Sequence, residues 1–158
     1  MSKSLKNVVN PDDVVEKFGA DSLRLYEMFI GPLDATKPWT ENGVKGVYNF
    51  LRRVAAFFGE KSNLTEVTES KETLKILHQT IKKVGDDVED MKFNTAISQM
   101  MVFTNHCYKA GNVTPETANT FYQVLAPFAP HLAEELWAMC GNTQSVGTYP
   151  WPLFDPVC

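Results

Sequence analysis

Between residues 71 and 107 apolar side chains recur at helical spacing, and this limits the fold more than any other feature. Leu74, Leu77, Ile81, Val84, Val88 and Met91 follow at intervals of three and four, the stripe of a helix packed along its length. Phe93, Ala96, Ile97, Met100, Thr104 and Cys107 form a second such face. A period near 3.6 cannot serve a strand, whose faces alternate every second residue. Val44, Val47, Tyr48, Leu51, Val54, Ala55 and Phe58 predict another amphipathic helix upstream, ended at Gly59. Downstream, Thr114-Pro115 starts a shorter helix bearing Ala118, Phe121, Tyr122 and Leu125, and Pro130 opens one that runs through Trp137 towards Gly141.

The first forty residues carry stop and start signals. Asn10-Pro11-Asp12-Asp13 reads as a helix start and Gly19 as its stop. Asp21 reads as the cap of the next helix, with Leu23, Leu25, Tyr26, Phe29 and Ile30 inward until Gly31-Pro32 breaks it. Residues 60–70 read as a polar connection, and the Pro-rich stretch near 148–156 is expected to lie extended. Only SLKNVV could be a strand. The fold class expected is all-α: a bundle of four antiparallel helices from about residue 41, preceded by a short loop-and-helix element. The domain division expected is 1–38 and 39–158.

With 158 residues, 44% hydrophobic and 22% charged, the chain can bury one real core. No apolar run is long enough to span a membrane, and the start is too polar for a signal peptide. Cys107, Cys140 and Cys158 show no C-x-x-C spacing, which points to free thiols in a reducing, cytoplasmic compartment and to no metal site. His78, His106 and His131 stand apart from any acid–base constellation. A net charge of -4 means that only a local basic face could meet nucleic acid. One candidate is Lys45, Asn49, Arg52 and Arg53, opposite the apolar arc of their helix. Another is Lys71, Lys75, His78 and Lys82, also at three–four spacing. The cations of that second helix lie towards its N-terminus and Asp86, Asp87, Glu89 and Asp90 towards its end, an order that opposes the helix dipole. Either face could contact phosphates or could simply be solvated. Trp39 could stack on a base or anchor the loop to the bundle.

The stretch MSKS, followed by NVVNPDDVVEKFGADSLRLY, resembles the signature loop of class I aminoacyl-tRNA synthetases and the helix pair after it. Tyr26 to Leu33, Lys37-Pro38-Trp39, Gly43 to Leu51, Phe93 to Ser98 and Leu125 to Trp137 are similar to the leucyl members. Leu5 and Lys6 depart from the Lys-Gly usual there. The resemblance implies the loop and helical tRNA-binding domain of an enzyme that joins leucine to tRNA(Leu) using ATP and Mg. Lys3 takes the role of the motif's second lysine, with Ser2 and Ser4 beside it on the ATP phosphates. Lys45, Asn49, Arg52, Arg53, Lys75 and Lys82 are the implied tRNA contacts. The other partners implied are the N-terminal catalytic and editing domains; the protein is expected to be monomeric, and this chain inert by itself. Because leucine tRNAs carry differing anticodons, the bundle is expected to hold the tRNA body and leave the anticodon unread. Two alternatives stand beside this: the same region of a valyl, isoleucyl or methionyl enzyme, or a helical protein-interaction module without RNA function.

Overall fold

A computed structural model describes residues 19–29, 41–66, 68–148 and 151–152. Signature-loop residues Ser2, Lys3 and Ser4, the helix expected after Asn10, and Trp39 lie outside that set. The described residues form six α-helices: α1 Ala20–Phe29, α2 Glu41–Phe58, α3 Lys71–Glu89, α4 Phe93–Ala110, α5 Pro115–Leu125 and α6 Pro130–Met139. The fold is all-α, with one isolated bridge, Leu64 to Val113, as the β pairing among the described residues.

Local chemistry sets most of the boundaries. Ser70 caps α3 by accepting from Thr73 N at 3.1 Å, and Thr114 caps α5 by accepting from Thr117 N at 3.1 Å, with Pro115 in the first turn. Gly111, at φ 87, closes α4 in a left-handed conformation that favours glycine. Pro127 and Pro130 end α5 and begin α6, and among the described residues from 41 onward there are five helices, where a bundle of four was expected.

Helices α3 and α4 are antiparallel and share the longest interface. Three polar pairs cross it at heptad steps along α3: Thr73 with His106 at 2.8 Å, Thr80 with Gln99 at 3.1 Å, and Asp87 with Thr95 at 2.6 Å. Such pairs permit one register, because sliding either helix strands half-buried polar groups. Met91, expected to continue the α3 stripe, is instead 56% exposed at φ 60 in the turn between the helices. The helix has already ended at Glu89, so the stripe has no further turn on which to place it.

Helix α4 packs on α1, α2 and α3; α2 packs on α1, α4 and α6; α5 packs on α3 and α6. Aromatic rings fill the centre. Phe121 lies 4.8 Å from Phe103 and 5.3 Å from Phe58, which also meets Tyr122 edge-on at 5.6 Å. Helix α1 is part of this packing, with Ser22, Leu25 and Tyr26 buried.

Candidate nucleic-acid interface

On α2 the buried residues Val44, Val47, Leu51, Val54 and Phe58 leave Lys45, Asn49, Arg52 and Arg53 exposed on the far side. At about 100° per residue these four occupy an arc of about 100°, with Arg52 at one edge and Arg53 at the other. The edges have different neighbours. Arg52 lies 5.8 Å from the Tyr48 ring and lines a cleft of about 410 Å³ where α1, α2 and α6 meet. Arg53 turns towards α4: Nη1 donates to Asn105 Oδ1 at 2.6 Å and the guanidinium stacks 4.7 Å over Tyr108. The Tyr108 hydroxyl in turn donates to the Arg53 carbonyl at 2.7 Å. This holds a cation and a 40% exposed aromatic ring in one fixed arrangement at the α2–α4 edge.

Sequence reasoning did not single out Asn105 or Tyr108. The available signal was Tyr108 itself, an aromatic residue standing off the apolar stripe of α4. The cations of α3 fall elsewhere. Lys75 and Lys82 are exposed, but α3 packs on α4 and α5, so α4 intervenes between the two basic helices. Lys82 pairs with Asp86 at 2.7 Å, both 56% exposed, a surface pair that water screens strongly. Lys71 is exposed at the start of α3, and half-buried His78 lines a groove of about 910 Å³ between α3 and α5 with Leu77, Ile81, Thr117 and Trp151. The six contact residues expected on α2 and α3 thus form two separate faces.

Two buried groups bear on chemistry. Burial, with a smaller contribution from the charge of Glu69, pushes the Cys107 thiol up to about 12, so it stays protonated in the fold. Burial also raises the Tyr122 phenol far above its ordinary value. Neither is poised as a nucleophile or base. Among the described residues no three His, Cys, Asp or Glu side chains are arranged to hold a metal ion. No helix among them is long and apolar enough to cross a membrane.

A cationic arc on one outer helix of a bundle is the kind of local basic face that can meet nucleic acid. Residues 70–157 match the family described as the anticodon-binding domain of tRNA ligase, and the chain belongs to that family. Residues 1–35 match the class I tRNA synthetases for isoleucine, leucine, methionine and valine.

Within the class, the chain is similar to leucine–tRNA ligases. Those of Leptospira biflexa and Rhodopirellula baltica are 50% and 51% identical to it, each over 98% of this chain. The Agrobacterium radiobacter LeuRS, solved as a ternary complex with tRNA and LeuAMS, superposes with a TM-score of 0.82 at 35% identity over 98% of the chain. The chain spans 18% and 17% of the two ligases and 22% of the LeuRS chain. These matches do not favour another class I enzyme or an RNA-independent interaction module.

Proposed function

We propose that this chain is the tRNA-holding bundle of a leucine–tRNA ligase, which joins leucine to tRNA(Leu) at the expense of ATP. The observation that carries the reading is the outward arc of α2, where Lys45, Asn49, Arg52 and Arg53 stand together over a rigid core. Cations and an amide on a straight helix suit phosphates, which position a nucleic acid without conveying its sequence. The Arg53–Tyr108 stack adds a fixed planar donor at the edge of that arc. Lys75 and Lys82, on a face separated by α4, would meet a different part of the same RNA.

In the longer ligase, Ser2, Lys3 and Ser4 are assigned to the ATP phosphates. Adenylation places negative charge on the departing pyrophosphate, and a lysine flanked by hydroxyls is suited to receive it. Binding through phosphates should be indifferent to the anticodon. The test compares a leucine tRNA with a copy changed only in its anticodon. Equal affinity is expected. A tenfold loss for the altered copy, about 1.4 kcal/mol, would mean that bases are read and would overturn this account.

A further inference from the structure

We infer that Asp21 and Arg24 are positioning residues, which lock α1, the helix that follows the signature motif in sequence, to the start of α6. The inference rests on the function proposed above. It begins with α6, whose first N–H groups need acceptors. Ala129 stands at its cap position and has no side chain able to serve. Asp21 does so from far away in sequence. Its Oδ2 accepts from Leu132 N at 2.8 Å, and its Oδ1 accepts from His131 N at 3.3 Å and meets the His131 ring Nδ1 at 2.8 Å. One turn along α1, Arg24 points at the same corner. Its Nε and Nη2 both donate to the Pro127 carbonyl, at 3.0 and 2.8 Å.

Two charged side chains on one face of α1 therefore satisfy the N–H groups that open α6 and a carbonyl left over where α5 ends. Ala129 is fully buried in the core, so a polar cap at that position would itself have to be buried. Capping from α1 adds something that a local cap cannot, a fixed angle between α1 and the bundle. Gly19, at φ 89, stands in a left-handed conformation immediately before α1. Asp21, His131 and Leu132 also line the cleft to which Tyr48 and Arg52 contribute.

The experiment uses the full-length ligase that contains this chain. Asp21→Ala and Arg24→Ala are each expected to lower kcat for charging leucine tRNA about tenfold or more, since small misplacements of reacting groups are costly. KM for the tRNA should stay within about twofold, because the α2 arc is intact. Arg24→Lys, which keeps one donor, should recover part of the loss. Thr114→Ala provides the structural control: it removes the local cap of α5 but touches nothing on α1, and should leave kcat unchanged. If Asp21→Ala does not fold, Asp21→Asn, which keeps one acceptor oxygen, takes its place with the same expectation. Clamp variants that are folded by circular dichroism and keep native kcat would overturn the inference alone. So would a fall in kcat equal to that of Thr114→Ala. A native enzyme that fails to charge leucine tRNA would overturn the proposed function, and this inference with it.

Discussion

Replacing Arg52 with alanine takes one cation from the outward arc of α2 and leaves Lys45 and Arg53 in place. The fold should not notice. Arg52 is exposed, and its guanidinium contacts the Tyr48 ring only at 5.8 Å, an interaction worth about 0.5–1 kcal/mol at such a site. RNA binding should notice in a defined way. Each neutralised phosphate contributes about -0.7 to -0.9 to the slope of log affinity against log salt. Three cations on α2 with Lys75 and Lys82 on α3 give a slope of about -3.5 to -4.5, and loss of Arg52 gives about -2.8 to -3.6. Between about 50 and 200 mM salt the native protein should therefore weaken about 130- to 510-fold and Arg52→Ala about 50- to 150-fold. Fluorescence anisotropy with a labelled leucine tRNA across that salt series measures both slopes. The change should be the same for a tRNA with an altered anticodon. An unchanged slope in the variant would show that Arg52 meets no phosphate. A change confined to one anticodon would show that it reads a base.

The remaining predictions concern the core. Phe58, 2% exposed between Phe121 and Tyr122, should cost about 3–5 kcal/mol when replaced by alanine, a large part of the roughly 5–15 kcal/mol that holds such a domain. Urea unfolding checks this, and a loss below about 1 kcal/mol would mean that the aromatic cluster does not hold the bundle. The Cys107 thiol predicts a pH dependence: an unfolded chain ionises it near 9.0, while the folded one keeps the proton to about 12. The unfolded state then binds fewer protons, so stability present below pH 9 should be lost progressively towards pH 12. Thermal midpoints from pH 8 to 11 should fall less steeply in Cys107→Ala; equal slopes would refute the assignment.

Sequence patterns located every described helix, because the signals involved act within one turn. The Thr114-Pro115 start, the stop at Gly59, and apolar spacing of three and four need no knowledge of distant neighbours. The cationic arc of α2 was legible for the same reason: it is the complement of an apolar stripe on one helix. The likeness to leucine–tRNA ligases was legible because whole segments resemble them.

What only the tertiary structure decided involves residues tens of positions apart. Local chemistry reads Asp21 as the cap of its own helix, but it lies in the first turn of α1 and caps α6 instead. Arg53 looks like its neighbour Arg52 in sequence, and only the approach of α4 brings Asn105 and Tyr108 to hold it. A one-turn signal is written in adjacent residues, whereas the partner of a charge depends on which helices the core brings together, and that choice is made by the packing of the whole bundle.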